Sequence, residues 1–404
     1  MHGAKLINSL RLRNLLSYGS EQDLFELQPL NVLIGPNASG KSNLIEAMSL
    51  LQAAPSDIQA PVREGGGVRE WICKGRGSAD VAEIAFDTAA LHAPSLTYSL
   101  KFGAMGQSFA IADEIVRRGA ADSEDTAEPF YQFALGKPTV AVTEMERVGN
   151  SNRYERHTRQ QKLTVENFDW GQSVLSQLKD PFQYPEITYL GRQLSRIRIY
   201  RGWHFGRDAE PRRPQLPDLP GDFLDESGRN LALVLNQLED TPPWEPLLDQ
   251  LRRLYAPVKN IKADIKGGTV QIMVQEDGLR EGIPAARLSD GTLRYLCLLS
   301  ILLHPEPPPL ICIEEPELGL HPDIVRGLGK LLLEAAQRTQ LIVTTHSDLL
   351  VSSLTSVPES VIVCERREGG TRLTRADQIP GFKKWLEDYS LGELWLMGRM
   401  GGTP

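Results

Sequence analysis

Residues 35–42 read Gly-Pro-Asn-Ala-Ser-Gly-Lys-Ser, a spacing suited to holding phosphate oxygens. Glycines at 35 and 40 let the backbone turn its N–H groups inward, and the N-terminus of a following helix adds partial positive charge. Lys41 would reach the outer phosphates of a nucleotide and the Ser42 hydroxyl would hold magnesium, with Asn37, Ala38, Ser39, Gly40 and Asn43 completing the cradle. A phosphate site of this kind needs acids at the end of a neighbouring strand. Leu310-Ile-Cys-Ile-Glu314-Glu315-Pro-Glu317 supplies them: Glu314 is expected on magnesium and Glu315 as the general base that activates water. His346, closing the run Leu-Ile-Val-Thr-Thr, could donate to a terminal phosphate oxygen. Leu288-Ser289-Asp290-Gly291-Thr292 has the chemistry of a helix N-cap followed by a glycine that permits close backbone approach; read alone it is only a cap.

The elements that must position these groups are legible as four short apolar runs rich in β-branched residues, Leu30 to Ile34, Leu310 to Ile313, Leu341 to Val343 and Val361 to Cys364. Such runs read as strands buried on both faces, as in a parallel sheet. The first three are followed by helix-compatible segments, Lys41 to Leu51, Pro322 to Ala336 and Ser347 to Leu354, which is α/β winding. Between the first and second runs, strand-like segments at Ala79 to Phe86, Leu96 to Phe102, Ser108 to Val116, Tyr131 to Ala134 and Thr139 to Glu144 are split by turn residues, predicting an antiparallel β subdomain. Gly119 to Glu128 is an acidic, apolar-poor loop. From about Glu166 to Leu254 the periodicity is helical, divided by a proline-rich piece from Pro211 to Pro220. The expected organisation is an N-terminal half over 1–165, a helical insertion over 166–258, and a C-terminal half over 259–404 that completes a mixed central sheet.

The chain has 404 residues, 41% hydrophobic and 24% charged, with a formal net charge of −8. That is a globular composition with room for two or three domain-sized units, and it argues against a surface coated in positive charge. No apolar run approaches the roughly 20 residues of a membrane span, and no export signal is visible, so a cytoplasmic location is expected. Cys73, Cys297, Cys312 and Cys364 are far apart and mostly in apolar runs, which reads as burial rather than metal binding or disulfide pairing.

Taken in order, the motifs at 35–42, 288–292, 311–317, 318–322 and 344–347 resemble the Walker A, signature, Walker B, D-loop and switch-histidine motifs of ABC-class ATPases. The spacing is similar to that of the RecF, SMC and OLD branch, in its stand-alone members without a long coiled coil. The resemblance implies an ATPase that needs ATP and magnesium. It also implies a head-to-tail homodimer with two ATP molecules held between Lys41 of one copy and Ser289, Asp290 and Gly291 of the other. It further implies a glutamine touching magnesium and the attacking water; Gln172 is the candidate, with Gln161 and Gln177 nearby. Two positions depart from the commoner pattern: Glu314 stands where transporter ATPases usually have aspartate, and LSDGT where LSGGQ is usual. Neither removes a required group. The long insertion between Lys41 and Leu288 disfavours a transporter subunit, and the stretch after His346 is short for the nuclease domain of full-length OLD proteins. The resulting expectation is an ATPase that senses or binds DNA and controls a separately encoded effector, a nuclease or toxin, in phage defence or DNA repair. The alternatives are a nucleotide-gated scaffold with little hydrolysis or, less in keeping with the spacing, a transporter ATPase.

Residues 191–213 carry seven arginines, Arg192 to Arg213, interleaved with Tyr200, Trp203 and Phe205. Arginine forks suit the phosphates of double-stranded DNA and the rings could stack on bases. Equally, alternate residues of 196–201 could form a strand whose arginines pair with the chain's surplus of acids.

Overall fold

The computed structural model describes residues 3–401 apart from 22, 76–78, 90–94, 120–127, 135, 148–153 and 164–167. Most of the acidic loop expected at Gly119 to Glu128 therefore lies outside the described residues. Along the chain, β1 (Ile7–Arg13), β2 (Phe25–Glu26) and β3 (Leu30–Ile34) lead into α1 (Lys41–Ala53) and the short α2 (Gln59–Glu64) and α3 (Val68–Trp71). Then come β4 (Val81–Thr88), β5 (Leu96–Met105), β6 (Ser108–Arg118), β7 (Tyr131–Ala134), β8 (Lys137–Arg147) and β9 (Tyr154–Lys162). Helices α4 (Val174–Gln177) and α5 (Pro185–Ser195), strand β10 (Arg198–Tyr200), and helices α6 (Leu231–Leu238) and α7 (Trp244–Leu254) follow. The last part holds β11 (Val258–Lys266), β12 (Thr269–Glu276), β13 (Ile283–Pro284), α8 (Asp290–Leu302), β14 (Leu310–Glu314), α9 (Pro322–Ala335), β15 (Gln340–Thr344), α10 (Asp348–Ser352), β16 (Val361–Arg367), β17 (Gly370–Arg375), α11 (Phe382–Trp385) and α12 (Leu391–Leu396).

The four apolar runs form the centre of one six-stranded sheet, ordered β10-β14-β15-β3-β16-β17, parallel except for the terminal β17. Their side chains divide by parity. Leu33, Cys312, Ile342, Ile362 and Cys364 pack on α1, whereas Val32, Ile34, Ile313, Val343 and Val363 pack on α6, α7, α8, α9 and α10. Two-sided burial is why these strands read as unbroken apolar runs rather than alternating ones. On the far side of α1 lies an eight-stranded antiparallel sheet, β2-β1-β4-β5-β6-β7-β8-β9. Held between two sheets, α1 buries Ala47 and Leu50 as well as the Leu44, Ile45, Met48 and Leu51 face. Each buried leucine, isoleucine or methionine there contributes roughly 1.5–3 kcal/mol.

Three parts of the fold differ from the sequence expectation. Strands β1 and β9, which flank the predicted antiparallel segments, extend that sheet. Strand β10 lies inside the stretch read as helical but within 196–201, where a strand was the alternative reading, and it pairs in parallel with β14 as the edge of the main sheet. Strands β11, β12 and β13 make a separate three-stranded sheet. Its tight turn uses Gly267 and Gly268, both at positive φ (58° and 78°), a conformation that glycine adopts without strain. All four cysteines are buried, and burial pushes the thiols of Cys297, Cys312 and Cys364 up, the last to about 12.

Candidate nucleotide site

Parallel strands leave their carboxyl ends on one edge, and here β14, β15 and β3 are adjacent, so Glu314, Thr344 and Ile34 end side by side. The loop after β3 is shaped by its neighbours. Gly35 has φ 141°, and a Cβ there would lie 2.2 Å from the Cys364 carbonyl oxygen. Gly40 caps α1 in the left-handed region, where a Cβ would meet the Thr371 hydroxyl at 2.3 Å. Ala38 holds φ 60° despite its Cβ. The Thr371 hydroxyl bridges Ser17 Oγ (2.7 Å) and the Ser39 carbonyl (2.9 Å), and the buried Tyr18 hydroxyl donates to the Gly40 carbonyl at 3.1 Å. With these carbonyls engaged, the first N–H groups of α1, which have no intrahelical acceptor, are left for an anion. The Ser39 hydroxyl is buried without a hydrogen-bond partner.

Lys41 Nζ donates to the carbonyls of Gly35 (2.7 Å) and Pro36 (3.0 Å), so the ammonium spans the mouth of its own loop. Burial lowers its pKa, against the opposing influence of Cys364 and Glu315. Ser42 follows on the first turn of α1, one turn before Glu46. Burial raises the Glu46 pKa; the Arg201 guanidinium opposes the rise and the Glu314 carboxylate adds to it. The strand register places Tyr200 beside Ile313, so Arg201 follows at the same edge as Glu314.

At the end of β14, Glu315 still donates its N–H to the Thr344 carbonyl (3.0 Å), but turns to φ 44°, a left-handed conformation that is uncommon for glutamate. His346 Nε2 stands 3.7 Å from Glu315 Oε1, both side chains being about one-third exposed. The predicted base and the predicted switch histidine are therefore neighbours at the carboxyl edge of the sheet.

Ser289 caps α8, its Oγ accepting from Thr292 N at 3.0 Å. Gly291 lies against the turn after Glu315: a Cβ would sit 2.7 Å from the Gly319 carbonyl. Helix α8 belongs to the core on the opposite face of the sheet from α1. Ser289, Asp290 and Gly291 thus stand apart from Lys41 in the topology of a single chain.

Two expectations are corrected. Gln172 accepts from Ile58 N (3.3 Å) and donates to Asp57 (2.9 Å), residues that follow the C-terminal end of α1. Thirteen helical residues span about 20 Å at 1.5 Å per residue, so Gln172 is at the far end of α1 from Ser42 and outside the metal site. Gln177 donates to the carbonyls of Asp169 and Gln172 and is no closer. The rings of the arginine-rich stretch are not free to stack on bases: Tyr200 and Phe205 are buried, and Trp203 bridges them edge-to-face at 5.2 and 5.5 Å. Of the arginines, Arg212 is 8% exposed and supports the signature segment. It donates to Leu288 O (2.7 Å) and Phe205 O (2.9 Å) and pairs with Asp290. Arg213 pairs with Glu210 and Arg198 donates to the carbonyls of Ser195 and Ile197, whereas Arg192, Arg196, Arg201 and Arg207 are exposed.

Tyr18, Thr371, Arg212 and Glu317 support the site and were not assigned by sequence reasoning. Glu317 stands within a quoted motif, so its spacing was a usable signal. Tyr18 and Thr371 come from segments with no motif, brought to the loop only by folding.

The fold is that of an ABC-type P-loop head domain, as in SMC proteins. The sequence profile of the family described as "AAA domain, putative AbiEii toxin, Type IV TA system" matches residues 30–352, and the chain belongs to that family. Among solved structures it is similar to the Smc head bound to the C-terminal winged-helix domain of ScpA (14% identity, 91% of this chain and 97% of the other, TM-score 0.53). It is likewise similar to the Smc head with an extended coiled coil bound to the C-terminal domain of ScpA from Pyrococcus furiosus (12%, 95% and 100%, TM-score 0.54). The Smc head with coiled coil and joint from Pyrococcus yayanosii matches at 11% identity over 95% and 99%, with a TM-score of 0.50. At these identities the likeness is one of fold. No curated protein matches the chain in sequence. Among the described residues no helix is long and apolar enough to cross a membrane.

Proposed function

We propose that this protein binds ATP with magnesium and hydrolyses it, and that a second copy completes the site. The observation that carries the reading is the Glu315–His346 pair beside the loop of Gly35 to Ser42 on one sheet edge. The residues fit the groups expected there: a glycine cradle that a Cβ would fill, a buried Ser39 hydroxyl without a partner, and hard oxygen donors on Ser42 and Glu314. When bound, magnesium would neutralise phosphate charge, held by Ser42 and Glu314. Lys41 exchanges the Gly35 and Pro36 carbonyls for phosphate oxygens, so its buried ammonium is already in place before nucleotide arrives. Glu315 takes the proton from water as it attacks the terminal phosphorus, and His346 donates to an oxygen of the departing phosphoryl group. Because α8 and α1 lie on opposite faces of the sheet, Ser289, Asp290 and Gly291 are best used on the nucleotide of a partner copy, which makes dimerisation dependent on ATP. Exposed Arg192, Arg196, Arg201 and Arg207 offer a duplex-DNA contact through phosphates rather than base stacking. The family description, "putative AbiEii toxin, Type IV TA system", supports action with a separately encoded partner, and we extend that reading to defence or repair.

The test is phosphate release and solution mass of Glu315→Gln, with and without ATP and magnesium. Turnover is expected to fall about 10² to 10⁴-fold with ATP binding kept and a dimer trapped. Unchanged turnover would remove Glu315 from the role of base. A nucleotide-gated scaffold is the second reading; it predicts ATP-dependent assembly with negligible wild-type phosphate release.

A further inference from the structure

Glu317 is a carboxylate that neither the metal site nor the base assignment uses, and its hydrogen bonds point in one direction. Its Oε1 accepts from the Thr345 hydroxyl at 2.6 Å and from the His346 backbone N–H at 2.9 Å. Thr345 Oγ1 in turn accepts from Ser347 N at 3.0 Å. One oxygen therefore organises the three residues between the end of β15 and the start of α10, where the ladder with β3 stops after Thr345 donates to Leu33 O. Glu317 is itself fixed by a tight turn: Leu318 N donates to the Glu315 carbonyl at 3.2 Å and Leu320 N to the Glu317 carbonyl at 3.0 Å. The turn that presents Glu315 thus also presents the acceptor that holds His346. The other oxygen, Oε2, is buried without a hydrogen-bond partner. The Arg294 guanidinium of α8 is near enough to interact electrostatically with Glu317 and Glu315, while donating to the Trp203 carbonyl at 3.1 Å.

We propose that Glu317 is a positioning residue for hydrolysis: it holds the Thr345–Ser347 backbone so that the His346 imidazole stays beside Glu315. The inference deepens the proposed function and rests on it for the hydrolytic consequence. Helix α10 has its own cap, Ser347 Oγ accepting from Leu350 N at 3.3 Å, so loss of the Glu317 contacts is felt at His346 rather than throughout the element. A carboxylate at this point also ties the geometry of the base to that of the histidine, since both hang on one turn.

The test compares wild type, Glu317→Ala, Glu317→Gln and Thr345→Val by hydrogen exchange over residues 344–348 and by the kcat and KM of phosphate release. Glutamine keeps an oxygen that can accept both bonds; alanine keeps none. Glu317→Ala is expected to speed exchange of the His346 amide about tenfold or more and to lower kcat about 10 to 100-fold, with the KM for ATP little changed. Glu317→Gln is expected to stay within about threefold of wild type in both, and Thr345→Val to fall between; should the alanine variant not fold, Thr345→Val and Glu317→Gln carry the comparison. Unchanged kcat in Glu317→Ala, or a glutamine variant as impaired as alanine, overturns the proposal. If wild type releases no phosphate, the hydrolysis reading falls and exchange alone decides: faster exchange in alanine but not glutamine upholds the holding role, and equal exchange in all variants overturns it.

Discussion

At the residue scale, the side chains of the proposed site are tied up in contacts that a bound nucleotide would replace. Lys41 bonds two carbonyls of its own loop, so on the proposed reading binding would exchange two neutral acceptors for charged phosphate oxygens, and the gain would be the difference between the two sets. Lys41→Ala is expected to weaken ATP binding about 10²-fold or more by calorimetry, because charge-assisted bonds contribute roughly 1.5–3 kcal/mol each; affinity within a few-fold of wild type would show that the backbone cradle alone suffices. Away from the site, Glu114 is fully buried, accepting from Tyr98 Oη at 2.7 Å, from Ser173 Oγ and from Val174 N at 2.9 Å. Burial outweighs those bonds and raises its pKa from 4.5 to about 7. A carboxyl raised on folding binds its proton more tightly in the native state, so its contribution to stability is full below about pH 4.5 and declines as pH rises through 7. Melting temperatures between pH 5 and 8 should fall for wild type and fall less for Glu114→Gln; parallel curves would show that another group sets the slope.

At the element scale, the phosphate loop depends on what is packed against it. Gly35 is pinned by the Cys364 carbonyl of β16, and Gly40 by Thr371 of β17. Gly35→Ala adds a Cβ against a backbone atom that cannot swing away, at a φ of 141° that L-residues avoid. It is expected to cost about 2 kcal/mol or more in denaturant unfolding and to impair ATP binding. Thr371→Val, which removes a hydroxyl while keeping shape, should instead leave the fold near wild type and loosen the loop, read as a modest loss of affinity. A stability loss in Thr371→Val as large as that in Gly35→Ala would mean that the β16–β17 hairpin itself depends on this bond.

For the whole molecule, the arrangement of α1 and α8 on opposite faces of one sheet bears on how ATP acts. Ligand that binds only the folded state raises its stability, by about 4 kcal/mol at 1,000 times Kd. The melting temperature of wild type should therefore rise with ATP and magnesium, and that of Lys41→Ala should not. If a second copy completes the site, the rise also depends on protein concentration; a concentration-independent shift would favour a monomeric ATPase. Duplex-DNA affinity, if carried by the exposed arginines, should drop steeply with salt, with a slope that reports the number of phosphates engaged. A flat salt dependence would leave those arginines without that role.

Much of this was legible in residue order. Walker-type spacing at 35–42, paired acids at 314 and 315, a histidine after a buried run and four apolar strands are local patterns, because phosphate cradles, strand ends and two-sided burial each impose a requirement on consecutive residues. What lay beyond the sequence were relations between distant segments. Gln172 had a plausible place in the chain, but packing took it to the wrong end of α1. Tyr200, Trp203 and Phe205 had the composition of a stacking surface, but Tyr200 and Phe205 are spent on the core and Trp203 packs half-buried against them. Tyr18, Thr371 and Glu317 gain their roles from a polar atom arriving within 2.6–3.1 Å of a partner brought there by the sheet order. Hydrogen bonds of that length depend on where whole elements dock, so only the folded chain decides which residues make them.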